Sequence, residues 1–154
     1  MVVVTIISLL FLMAVPTYQQ IQRKARASVL ANDFRVFAGV FQAYAHENGS
    51  WPPETPPGVV PDGLTDQDLK TDVWTVRTPM GGKFDWEFEQ VHPGGSSPGG
   101  RWTAAIAITG TDDDPLLVDA DMLVLIDRDL DDGDLTTGSF RLGFGDCPLY
   151  IIEP

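Results

Sequence analysis

From Val2 to Val15 the chain is apolar apart from Thr5 and Ser8. Pro16-Thr17-Tyr18 follows, and helical spacing without another proline then runs to His46-Glu47-Asn48-Gly49. This pattern predicts one helix over the first 48 residues, about 70 Å long at about 1.5 Å per residue. A helix of that length cannot bury itself inside a chain of 154 residues. Its leading part, greasy all round, is expected to leave the globule and sit in a membrane or in the core of an assembly. The rest has room for one small domain, so the expected division is a core-seeking segment over 1–27 and a head over 28–154 that includes the amphipathic half of the helix.

In that second half the apolar positions Leu30, Phe34, Phe37, Phe41 and Tyr44 recur at alternating steps of four and three. Such a stripe marks one helix face that needs a partner surface. It is the expected spine on which the head packs. Gly39 beside it is expected to let a strand approach closely.

The leading apolar run is about 21 Å long as a helix, against about 30 Å for a hydrocarbon core. A cleaved signal peptide has a similar apolar length, but no basic residue precedes Val2 and the helical pattern continues where cleavage would fall. Arg23, Lys24 and Arg26 come soon after the run and, taken alone, would hold the following domain on the cytoplasmic side.

Charge is distributed unevenly. The chain carries a formal net charge of −12, and the whole of the acidic excess lies beyond the predicted helix, in which Arg23, Lys24, Arg26 and Arg35 outnumber Asp33 and Glu47. A head that acidic repels phosphate backbones, which argues against nucleic acid as a direct partner. The single cysteine, Cys147, excludes an intrachain disulfide and is read as a small buried apolar residue.

The run VVVTIISLLFLMAVPTYQQIQRKARASVLANDFRVFAGVFQAYAHENGSWP resembles the N-terminal half of a type IV pilin or a type II secretion pseudopilin. The family has an apolar helix, a proline near its end, an aromatic two residues later and a long amphipathic helix; Pro16 and Tyr18 match those positions. Asn48-Gly49-Ser50-Trp51-Pro52 is similar to the exit of that helix in many pseudopilins. The resemblance implies an α+β, pilin-like fold, with a long N-terminal spine helix packed on a small antiparallel sheet, plus a short second helix. It implies a structural subunit of a type II secretion or type IV pilus-like filament. Its partners would be other copies or related subunits and an inner-membrane assembly platform. The chain would be a single-pass inner-membrane protein with its head in the periplasm or outside, and Pro16 and Tyr18 would mark a bend used in assembly. The family's cleavage-and-methylation motif, a phenylalanine followed by a short run ending in glutamate, is absent and would lie before Met1. The native chain is therefore expected to carry a short basic leader and about six further, largely apolar residues upstream of Met1, enough for a comfortable span. A membrane-anchored binding module that does not polymerise is the competing expectation.

In the head, Trp51-Pro52-Pro53 ends the helix, and a loop rich in proline and glycine reaches Leu64. Thr65–Leu69 is expected to form a helical turn. Val73–Pro79 and Lys83–Glu89 flank Met80-Gly81-Gly82 and read as a β-hairpin. Phe84, Trp86 and Phe88 would face the helix, while Lys83, Asp85, Glu87 and Glu89 face water. His92–Gly100 reads as an exposed loop and Trp102–Thr109 as a strand completing a meander. Asp114-Pro115 is the expected start of a second helix ending near Leu130, with Met122, Leu123, Ile126 and Leu130 on one face. Phe140–Phe144 and Leu149–Ile152 read as final strands.

The one cluster that suggests chemistry is Asp127, Asp129, Asp131, Asp132 and Asp134 around Gly133. An EF-hand loop counted from Asp127 would need glycine where Asp132 stands and a carboxylate where Gly138 stands, so that motif fails. Two readings stay open: a solvated helix-end turn in which aspartates cap backbone donors and Gly133 supplies positive φ, or a calcium site. His46 and His92 have no cysteine or histidine at ligand spacing, and neither a nucleophile elbow nor a phosphate-binding glycine loop is present. No cofactor and no enzyme activity are expected.

Overall fold

The computed structural model describes residues 2–65, 67–94 and 98–154; side chains at 2, 5, 9–14, 92–94, 98 and 99 fall outside the description. The long helix forms as expected: α1 spans Val2–Asn48 and runs on through Pro16. Burial starts abruptly along it. Val3, Val4, Ile6, Ile7, Val15, Tyr18 and Ile21 are exposed, whereas Ala27, Leu30, Ala31, Phe34, Phe37, Ala38 and Phe41 are buried. The predicted stripe is thus the spine of the head, with Tyr44 half-buried at its end.

Against that stripe lies a four-stranded antiparallel sheet built from β1 (Lys83–Phe88), β4 (Ala104–Thr109), β5 (Phe140–Leu142) and β6 (Pro148–Glu153), in the order β1-β4-β6-β5. The layout is α+β. Phe34 meets Phe84 and Phe140 edge-on at 5.5 and 5.6 Å, and Phe41 stacks on Trp86 at 3.9 Å. Edge-to-face pairs bring the positive ring edge onto a negative face and gain more than area burial alone. Trp86 and Trp74 are both held at their polar ends, by the carbonyls of Pro52 and Val59 at 3.0 and 2.9 Å. The proline-rich loop therefore clasps the aromatic core from outside.

A second helix, α3 (Ala120–Leu130), packs along α1 and buries Met122, Leu123 and Ile126, as its apolar face requires. Its start differs from expectation. Asp119 is the N-cap, accepting from Met122 N at 3.2 Å, and Asp114-Pro115 stays outside the helix. The 114–117 backbone is tied down elsewhere: the Asp114 carbonyl accepts from Gly82 and Thr111, and Leu117 N donates to Met80.

Those same bonds explain why the expected hairpin does not form. Thr71–Trp74 makes a single helical turn, α2, and Trp74 is fully buried against Phe37 and Phe41. Gly81 and Gly82 do adopt positive φ, +81° and +65°, but the turn they make packs on the 114–117 segment. A side chain at Gly81 would overlap the Pro115 carbonyl. The true partner of β1 is β4, with Phe84 opposite Ile108 and Trp86 opposite Ile106.

Two further expectations are corrected. The loop at 92–100 contributes instead to an antiparallel ribbon of β2 (Val91–Gly94) and β3 (Pro98–Arg101). Gly39 is exposed, with nothing within 4 Å of where a side chain would start, so no strand approaches it. The turn at 65–69 closes through Leu69 N to the Thr65 carbonyl at 2.9 Å, with residue 66 outside the description.

The sheet is covered on both faces. Trp102, Ala105, Ala107, Leu149 and Ile151 form a second apolar cluster on the face away from α1. β4 reads Ala-Ala-Ile-Ala-Ile-Thr and is buried along all but its last residue, as a strand enclosed on both sides must be.

Candidate functional site

Three features stand out from the packed core. The first is the projecting half of α1. Its described valines and isoleucines are exposed: Val3 68%, Val4 67%, Ile6 54%, Ile7 53% and Val15 47%. Farther along, Tyr18 is exposed and its hydroxyl accepts from Gln22 at 2.6 Å. Arg23 marks where the head begins to grip the helix, pairing with Asp119 at 2.9 Å and Asp121 at 3.2 Å. At Pro16 the helix continues, so the structure carries no break at the proposed bend position. The single-pass inner-membrane placement is corrected here: among the described residues no helix is long and apolar enough to cross a membrane. The physical reason is length. Beyond Pro16 the run turns polar at Thr17, Gln19, Gln20, Gln22 and Arg23, well short of the roughly 20 apolar residues a span requires.

The second feature is the aspartate turn after α3. Most of it is the capped turn of the simpler expectation. Asp132 Oδ1 accepts from Asp134 N at 2.8 Å and its Oδ2 from the Thr137 hydroxyl at 2.8 Å. Asp134 takes Thr136 N at 3.0 Å and the Thr136 hydroxyl at 2.7 Å, and its pKa lies below the usual carboxylate value because of those two donors. Asp131 accepts from the backbone of Ser139 and Phe140, which fastens the helix end to the start of β5. Gly133 has φ +85°, as expected of it. Asp129 is exposed and takes no part.

Asp127 does not fit the capping account. It is 0% exposed, and neither carboxylate oxygen has a hydrogen-bond partner. Burial, then the charges of Asp132, Asp131 and Asp134, push its pKa up to about 6, and the nearby Gly133 backbone N–H offsets part of this. One oxygen each from Asp127, Asp131 and Asp132 lies within 4.8 Å of the others. The expected five-aspartate set thus reduces to three. The signal that marked Asp127 was its place between Ile126 and Leu130 on the buried face of an amphipathic helix.

The third feature was not anticipated. Asp85, placed by strand alternation on the water-facing side, is only 5% exposed because that side is covered too. Burial first, and then the charges of Glu87 and Glu54, raise its pKa to about 7, with partial relief from the Thr109 hydroxyl. Glu87 is likewise raised to about 7, by burial and by Glu54. Nearby Cys147 is half-buried. Burial pushes its thiol pKa up, which disfavours the nucleophilic thiolate. A cavity of about 90 Å³ lined by Glu87, Trp102, Thr109 and Cys147 has room for a few waters only.

His46 is exposed near the end of α1, and the His92 side chain lies outside the described residues. No family model matches the chain, and no curated protein matches it.

Proposed function

We propose that this chain is a pilin-like structural subunit, whose projecting α1 packs against the same helix of neighbouring copies in a filament while the acidic head faces outward. The observation that carries the reading is the division of a single helix into two chemistries. From Ala27 onward it is the spine of a packed head; before that, the described valines and isoleucines stand exposed. An exposed apolar surface of this kind is stable in water only when covered, and parallel copies of the same apolar leading helix cover it with like surface. The α+β layout and the residues around Pro16 and Tyr18 that resemble pilins support the same assignment.

The test is assembly of the full chain after dilution from detergent, followed by sedimentation and negative-stain imaging. Fibres are expected, and Ile7→Asp is expected to abolish them while leaving the circular-dichroism spectrum of the head intact. A wild-type chain that stays monomeric after detergent removal refutes the reading and favours a non-polymerising binding module.

A further inference from the structure

We propose that residues 52–59 form a pH-governed strap over the free edge of β1, closed while Asp85 and Glu87 hold protons and released at Glu54 as they ionise. The inference is independent of filament assembly. In the sheet order β1-β4-β6-β5, β1 has one side without a strand. An uncovered edge presents backbone donors and acceptors to any passing chain. Here the proline-rich loop covers it. Gly58 N donates to the Phe84 carbonyl at 2.7 Å, and Phe88 N donates to Glu54 Oε2 at 2.6 Å. Residues 58 and 54 thus stand opposite 84 and 88, the register of an antiparallel partner. Pro53, Pro56 and Pro57 lack the N–H groups that a true fifth strand would need. The Trp86 indole fixes the start of the loop through the Pro52 carbonyl, and the Trp74 indole fixes its far end through the Val59 carbonyl. Of these four ties only the one at Glu54 depends on a charged group.

That group lies within electrostatic reach of Asp85 and Glu87, which share the face of β1 turned away from α1. Burial and then neighbouring charge, that of Glu54 included, raise both carboxyls to about 7. Among the described residues, the groups acting on the pair from other elements are Glu54 on the loop, Thr109 on β4 and Cys147 just before β6. None of them is basic. Lys83, on the same face of β1, pairs with Asp114 at 3.6 Å, and Glu153 on β6 accepts from the Trp51 indole at 2.5 Å. Proton linkage fixes the direction of the effect. Glu54 raises the two pKa values only while the loop is closed, so the closed form binds protons more tightly than the open one. The Glu54 tie is strongest where both carboxyls are protonated and is lost as pH rises through about 7. Release bares the Phe88 N–H, while Gly58 and the two indoles hold the rest of the loop.

Hydrogen exchange of the full chain, kept monodisperse in mild detergent and followed by NMR at about pH 6 and about pH 8, tests the proposal. The Phe88 N–H is expected to lose at least about tenfold in protection relative to its intrinsic exchange rate. The Glu89 N–H, which donates to the Thr103 carbonyl, is the internal control and is expected to change by less than about twofold. Glu54→Gln keeps an oxygen acceptor for Phe88 N without the charge, and is expected to hold Phe88 protection level between the two pH values. Should Glu54→Gln fail to fold by circular dichroism, Glu87→Gln serves instead and is expected to cut the loss to below about threefold. Phe88 protection that does not change with pH overturns the strap. So does an equal loss in the substituted chain, or a parallel loss at Glu89, which would mean opening of the whole head.

Discussion

Phe37→Ala tests the packing logic of the whole head. Phe37 is 0% exposed and sits edge-on against Trp74 at 5.1 Å and Phe84 at 4.9 Å. Removing its ring forfeits about 2.5 kcal/mol of transfer free energy. Losing two edge-to-face contacts adds about 1–2 kcal/mol. The expected loss is therefore about 4 kcal/mol, inside the usual span of about 3–5 for such truncations. Collapse into the vacated space is resisted on both sides. Phe34 and Phe41 are fixed on the same rigid helix, and Trp74 is pinned through its indole N–H to Val59. Against a typical domain stability of about 5–15 kcal/mol this is a large fraction. The assay is equilibrium urea unfolding followed by tryptophan fluorescence, on monodisperse chain. With a slope of about 1.5–2 kcal/mol per M, the midpoint should fall by about 2 M at unchanged slope. Val36→Ala, one residue away on the exposed side, is the control and should move stability by no more than about 0.5 kcal/mol. If the two variants unfold at the same midpoint, the stripe does not bear the head and the reasoning fails.

Asp85 makes stability fall with rising pH. Its pKa goes from 3.8 to about 7 on folding, so between those values the folded state holds a proton that the unfolded state has released. Stability from this group is full below about pH 4 and is lost as pH rises through about 7. Asp85→Asn should flatten that stretch of the pH–stability curve relative to wild type and raise stability at pH 8 by on the order of 2–4 kcal/mol; an unchanged slope between pH 4 and 7 would count against a buried, strained carboxylate. At the start of α3, Asp119→Ala should lower stability by about 1–2 kcal/mol in thermal melts, since it removes the cap on Met122 N. Asp119→Asn keeps the cap and loses only the half-exposed pair with Arg23, so it should cost less than about 1 kcal/mol. Equal losses would assign the effect to the ion pair.

Much of this architecture was legible before any coordinates. The stripe from Leu30 to Tyr44 needed only helical periodicity, because a 3.6-residue repeat on so long a segment has one geometric meaning. The exclusion of the proline-glycine stretch after Trp51 from regular structure followed from backbone chemistry, as did positive φ at Gly133. The capped part of the aspartate turn was legible for the same local reason. What alternation could not tell was whether a strand's second face meets water. Asp85 and Glu87 were read as solvated, and only the second apolar cluster around Trp102, Leu149 and Ile151 left Asp85 buried and Glu87 half-buried. Pairing was equally non-local. Val73–Pro79 has strand-like residues, yet the 114–117 backbone and the rings of Phe37 and Phe41 offered Gly82 and Trp74 better partners than a hairpin would. The same contacts shifted the start of α3 from Asp114 to Asp119. Sequence fixes which residues seek burial and where the backbone can bend, since those are properties of single side chains and their near neighbours. Which surface covers them, and so which carboxylates end up without water, depends on segments far apart in the chain and was decided only by the packed fold.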